Sequence, residues 1–244
     1  MNISISAWRT RLRRKMQSGQ SFVELALVLP LILLMFVGMI EVGFLVFNYL
    51  NALDLTREAA RFASVRDYRI ATTATFDPDV DCRDDVLDYY KDTACFFVDD
   101  TLNPNLPLDP AKFDDVTISA FVVVSGTQAT VSRRLPHDQT DPNTGDLIDP
   151  DNDGVWSLYN NNWQKDCQGN TIQTEPFFTD AEVEAMMLSQ APKAKGLVLV
   201  EAHICYDQML FVPQISQYIG SPFRIHTYTF MPAPEAIPTP TPIP

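Results

Sequence analysis

The chain has 244 residues, 46% of them hydrophobic, with 18 Lys+Arg against 31 Asp+Glu, a formal net charge of −13. Its cations concentrate at the start, and no basic stripe follows, which excludes a nucleic-acid partner. Four cysteines and a long apolar run near the N-terminus point to a membrane anchor and an oxidising compartment rather than a cytosolic enzyme.

Residues 1–19 hold Arg9, Arg11, Arg13, Arg14 and Lys15 and no acid. From Leu25 to Ile40 no charge occurs, and allowing Glu41 the run continues to Phe47. A hydrocarbon core of about 30 Å needs about 20 helical residues, so this run is long enough to span. Positive flanks stay on the cytoplasmic side, which sets the N-terminus inside and the chain from about residue 50 outside. The run is too long for a secretory signal and ends in no small-x-small cleavage site.

Glu24 and Glu41 bracket the span and each is expected near one interface, on different helix faces. Glu24 has two explanations. In the first, Ser21-x-x-Glu24 is a capping box at a helix start. In the second, a protease cuts after Gly19 and Gln20 becomes a new N-terminus. Glu24 then stands four residues from an α-amine with pKa near 8, and can pair with it or with a neighbouring subunit's amine. For Glu41 the plain expectation is an interfacial residue near the outer leaflet.

Gly19-Gln20-Ser21-Phe22-Val23-Glu24 resembles the type IV prepilin cleavage motif. Continued through Leu25–Pro30, and with Ile40-Glu41-Val42-Gly43 and Arg57-Glu58-Ala59-Ala60-Arg61-Phe62-Ala63, it is similar to the TadE-like family. These are pseudopilins or minor pilins of the tight-adherence (Flp) pilus. The resemblance covers about residues 17–66. It implies a bitopic inner-membrane protein, cleavage by a prepilin peptidase, and packing with other pilins or pseudopilins and the assembly platform, in or at the base of a pilus. Gly19, Gln20 and Glu24 are then processing residues, and Glu24, Pro30 and Glu41 helix-packing residues. No enzymatic activity or cofactor is implied.

The expected fold class is α+β: a long N-terminal transmembrane helix continuing outside the membrane, then a small antiparallel-sheet exported domain. The expected divisions are a leader at 1–19, a transmembrane helix at 20–50, its extension at 51–69, an exported domain at 70–230 and a proline-rich tail at 231–244. One helix is predicted from Ser21 to Tyr68, with Leu53, Arg57, Ala60, Ala63 and Ser64 recurring at helical spacing and i,i+3 pairs at Asp54/Arg57 and Glu58/Arg61. Short helices are predicted at 82–92 and 180–190. The second has Thr179-x-x-Glu182 as a capping box and Val183, Met186 and Met187 inward. Strands are predicted at 116–124, 127–133, 197–206 and 224–230, the first two joined by a tight turn at Ser125-Gly126. The tail is predicted as extended polyproline II.

Cys82, Cys95, Cys167 and Cys205 allow three pairings. The local loop Cys82–Cys95 with Cys167–Cys205 is expected. His137, His203 and His226 are scattered along the chain and no CxxC occurs, so no zinc site is expected. Asp149, Asp151 and Asp153, followed by Gly154 and the Val155 carbonyl, match the first half of a calcium loop, although Asn160 stands where a bidentate Glu is needed. A solvated acidic turn is the competing explanation. A calcium-stabilised, anchored extracellular adhesin or binding module is the alternative to a pilus component.

Overall fold

The computed structural model describes residues 5–73, 76–83, 87–99, 101–103, 106–125, 129–187, 195–208 and 222–233. Helix α1 runs without a break from Ile5 to Ala63, with Pro30 inside it. It is followed by two short helices, α2 (Pro78–Asp81) and α3 (Tyr89–Val98), then β1 (Asp115–Ser125), β2 (Ala129–Leu135), the two-residue β3 (Trp156–Ser157), α4 (Asp180–Met186), β4 (Lys195–Tyr206) and β5 (Phe223–Ala233). The strands form one antiparallel sheet in the order β2-β1-β4-β5, with β3 on β1. A long apolar helix followed by a small antiparallel sheet is the α+β class expected.

Strand β4 lies between β1 and β5, so both of its edges are paired, and a core cluster covers each of its faces. Val198, Val200, Ala202 and Ile204 face α1 and join one core cluster with Ala52, Ala59, Ala60 and Ala63 of the helix and Tyr90 and Phe97 of α3. The alternate residues face the other way. Leu199 there packs with Phe121, Val123, Phe178 and Val183 in a second cluster. The α1 face is built of alanine because small side chains let the helix backbone approach the sheet closely. Thr56 adds a hydroxyl contact to Thr229 at 3.2 Å.

Several expected boundaries shift. Helix α1 begins at Ile5 rather than Ser21 and stops at Ala63 rather than Tyr68. Its last turn tightens, with Val65 N–H donating to Phe62 O and Arg66 N–H to Ala63 O. Beyond it the chain is captured by the domain, where Tyr89 N–H bonds Ile70 O and Thr72 donates from both N–H and Oγ1 to the Asp88 carboxylate. The buried α1 face is Ala52, Thr56, Ala59, Ala60 and Ala63, whereas Arg57 points to solvent and pairs with Asp54 at 3.4 Å.

The helix expected at 82–92 is misplaced: α2 ends at Asp81, before it, and only residues 89–92 are helical, as the first turn of α3. Asp77 and Asp88 each accept backbone N–H groups as N-caps, which starts helices at Pro78 and Tyr89. The capping box of Thr179 and Glu182 is present and α4 follows it. Val183 is buried as expected, but Met186 is exposed. Residues 188–190 of that predicted helix, and the Gly126 turn, lie outside the described residues. Strand β5 extends through Met231–Ala233, paired with Val198–Gly196. The first residues of the expected tail are therefore strand, while 234–244 lie outside the described residues.

Candidate functional site

The expected cleavage point, Gly19–Gln20, lies within α1. Ser21 and Glu24 are therefore not at a helix start, and the capping-box explanation loses its helix N-terminus. From Phe22 to Ile40 the large apolar side chains are exposed, Leu27 by 74% and Met39 by 70%. Among the described residues this apolar surface is left uncovered, and it matches the hydrocarbon of a bilayer. By length and composition, Phe22–Ala63 is the helix able to cross a membrane among the described residues.

Glu41 is where a hydrogen bond joins the helix to the sheet domain. The Tyr206 hydroxyl, at the end of β4, donates to Glu41 Oε1 at 2.8 Å. Above it the domain follows one face of the helix: Leu45, Val46 and Tyr49 border a cavity of about 360 Å³ with Phe223–His226. Ala52, Thr56, Ala59 and Ala63 are buried next. Steps of three and four residues keep this face in line along a 3.6-residue helix. Glu41 is thus a docking point of the sheet domain as well as the end of the apolar run. On the remaining surface Val42, Phe44, Phe47 and Leu50 stay exposed, which leaves an apolar strip above Glu41.

Tyr206 is held by its surroundings. Its neighbour Cys205 forms a disulfide with Cys167, and Cys205 N–H donates to Asp114 Oδ1 at 2.7 Å. The Tyr206 ring packs edge-on against Phe223 of β5, centroids 5.3 Å apart. Partial burial, and then the bond to Glu41, push the Tyr206 hydroxyl up to about 12, so it stays a donor at neutral pH. Sequence reasoning missed Tyr206. The available signal was alternation: from buried Ala202 and Ile204, the next residue on the α1 face of β4 is Tyr206.

The second disulfide, Cys82–Cys95, ties α2 to α3. Both pairings are the ones expected. Asp115 organises the loop over the sheet's other face. Fully buried, it accepts from Tyr159 N–H (3.0 Å), Trp163 N–H (2.9 Å), Val116 N–H (2.8 Å) and Ser157 Oγ (2.7 Å).

The acidic loop spends its oxygens on itself. Asp149 accepts from Asp151 N–H at 3.2 Å and from Gly154 N–H at 2.8 Å; Asp153 Oδ1 accepts from Val155 N–H at 2.8 Å; and Asn161 donates to Asp151 Oδ2. Asp153 Oδ2 is buried and unpaired. Burial, and Asp149 beside it, push the Asp153 carboxyl up to about 6. These contacts build a turn, and Gly154 at φ +78° is where the chain requires glycine, since a Cβ there would fall 2.7 Å from the Arg134 side chain.

No curated protein matches the chain, and no solved structure does. One family model gives a match, and it falls on the segment running from the expected cleavage point through most of the alanine face. Over residues 19–61 the chain matches the family of TadE-like proteins.

Proposed function

We propose that this protein is a pseudopilin-like, membrane-anchored component of tight-adherence pilus assembly that acts by subunit packing after its leader is removed. The observation that carries this reading is the TadE-like match at residues 19–61 lying on one uninterrupted helix, α1. The TadE-like family is one of pilus components and not of enzymes.

In this account a prepilin peptidase cuts between Gly19 and Gln20 on the cytoplasmic side, where the basic leader lies. Removal of residues 1–19 takes away five cations and no acid, so the net charge moves from −13 to −18. Glu24 becomes the fifth residue and pairs with an α-amine, its own or a neighbour's. A carboxylate at this depth is tolerated only when paired. The hydrocarbon crossing is Phe22–Ile40, because Glu41 is already gripped by Tyr206. Phe22–Ile40 at 1.5 Å per residue gives about 28 Å, close to the core thickness. The exported domain sits directly on the outer leaflet, and the strip Val42, Phe44, Phe47 and Leu50 is the surface offered to other pilins or pseudopilins. Pro30, which lacks a backbone donor, is a position where the spanning helix can bend to fit neighbours.

The test is genetic and biochemical together. Gly19→Ala should leave an uncut form and abolish piliation, with the protein still in the membrane fraction. Normal pili on cells carrying only uncut protein would sink the proposal.

A further inference from the structure

The sheet face turned away from α1 carries a buried polar group that packing does not require. Strand register makes His203 the direct partner of His226, and Glu201 stands two residues along β4 on the same face. Two of the three histidines scattered along the sequence, His203 and His226, are thereby brought together, whereas their spacing leads to the expectation of no zinc site. Their rings stack with centroids 4.5 Å apart and planes 7° from parallel. Glu201 Oε1 is 2.9 Å from His226 Nε2. One ligand atom from each of the three residues lies within 4.8 Å of the others. Glu201 and His203 are 2% and 3% exposed, and the His226 side chain 18%.

We propose that Glu201, His203 and His226 form a binding site for a zinc-class divalent transition-metal ion. Two imidazole nitrogens and one carboxylate oxygen are a borderline-soft set suited to zinc, whereas calcium and magnesium prefer oxygen throughout. Tetrahedral bonds of about 2.0–2.1 Å set ligand atoms about 3.3 Å apart, a few tenths of an ångström beyond the present Glu201–His226 separation. Burial holds the His203 imidazole in its neutral form, which keeps a lone pair for a metal.

The neighbouring guanidiniums give most of their N–H groups to backbone carbonyls, while both also attract Glu201 electrostatically and Arg224 Nε is buried without a hydrogen-bond partner among the described residues. Arg134 donates to Gly154 O, Phe178 O and Ser119 Oγ, with Asp180 3.8 Å away. Arg224 donates to Trp163 O and Lys165 O. Glu201 itself meets His226 and, at 3.5 Å, Thr117. Lone pairs lie in the ring planes, so two parallel imidazoles cannot both aim at one ion, and loading requires one ring to turn. His226 is on the edge strand and partly exposed, with the Phe177 ring 4.3 Å outside it. It is the ring with room to move, and Phe177, half exposed, is the side chain that must yield.

The experiment uses tag-free, full-length protein in detergent, stripped with chelator and titrated with zinc and with cobalt. The expected result is one equivalent bound at micromolar concentration or tighter. Cobalt should show a ligand-field spectrum with nitrogen and oxygen donors, and millimolar calcium should not compete. His226→Gln, at the partly exposed ligand, should keep the metal-free circular dichroism and melting temperature while weakening zinc at least about tenfold. Glu201→Gln should weaken it similarly; if that variant does not fold, His226→Gln alone decides. Folded wild-type protein that takes up no zinc at micromolar concentration, or a folded His226→Gln protein with wild-type affinity, would overturn the proposal.

Discussion

The Tyr206 hydroxyl donates to Glu41 Oε1 at 2.8 Å, joining the last residue of a central sheet strand to the first acid after the apolar run. The bond fixes where the sheet domain begins along α1, and in this account where the membrane ends. Tyr206→Phe keeps the ring against Phe223 and removes only the hydroxyl. A hydrogen bond to a charged group contributes about 1.5–3 kcal/mol, and partial exposure brings the expectation here to the low end. A double-mutant cycle with Glu41→Gln, read by thermal unfolding of full-length protein in detergent, should give a coupling of about 1 kcal/mol. Strict additivity of the two single changes would show that the contact contributes nothing.

The alanine face should not tolerate enlargement. Ala60 is fully buried in the cluster that includes Val198 and Val200. Ala60→Leu forces the helix off the sheet and should cost about 1–3 kcal/mol, while Arg57→Leu on the exposed side should change stability by no more than about 0.5 kcal/mol. Chemical unfolding of the two variants side by side distinguishes the docking face from the exposed side of the helix.

Protonation of Asp115 should strengthen the domain over a limited pH range. Burial pushes the Asp115 carboxyl up to about 6, despite the four groups donating to it, against about 3.9 in an unfolded chain. The folded state holds the proton more tightly, so stability rises as pH falls from about 6 to about 4, and the buried charge is a cost above that window. Asp153 shifts the same way. Asp141 and Asp166 are lowered by the hydrogen bonds they accept, and their contribution is lost only as pH falls below about 4. Buried His203, whose imidazole is held well below its usual value, acts in the opposite sense and loses stability as pH falls below about 6.5, so the test is the difference between proteins: from pH 7 to pH 5 the wild type should gain melting temperature relative to Asp115→Asn. Parallel pH profiles for the two proteins would contradict the assignment.

Removing Cys167–Cys205 should loosen the Tyr206 contact. The pair is separated by 38 residues, and a loop of that length gives about 4 kcal/mol in the chain-entropy model. Cys167→Ser/Cys205→Ser protein should melt lower and exchange amide hydrogens faster around Glu41–Tyr49 than the Cys82→Ser/Cys95→Ser protein. Equal exchange at that helix segment in both would show that the disulfide does not support the contact.

The sequence made the helix and strands legible because their signals are periodic and strong: an uncharged apolar run, and strands such as Leu197–Tyr206 bounded by loops. Both disulfide pairings followed from a short local loop and the remaining two cysteines. What escaped was set by tertiary partners. Two aspartate caps, at Asp77 and Asp88, start helices at Pro78 and Tyr89, where one helix over 82–92 is expected. Strand register brings His203 to His226, and docking of the sheet on α1 brings Tyr206 to Glu41 across 165 residues; neither leaves a local mark in the sequence. In the acidic loop the Asp and Gly spacing builds a turn closed by its own backbone amides.

The claim that this chain works as a processed pilin-like subunit is tested most directly at its N-terminus. Protein purified from membranes of its native cells, with an active prepilin peptidase, should show an intact mass and N-terminal sequence beginning at Gln20. Recovery of protein still beginning at Met1 from those membranes would contradict the account.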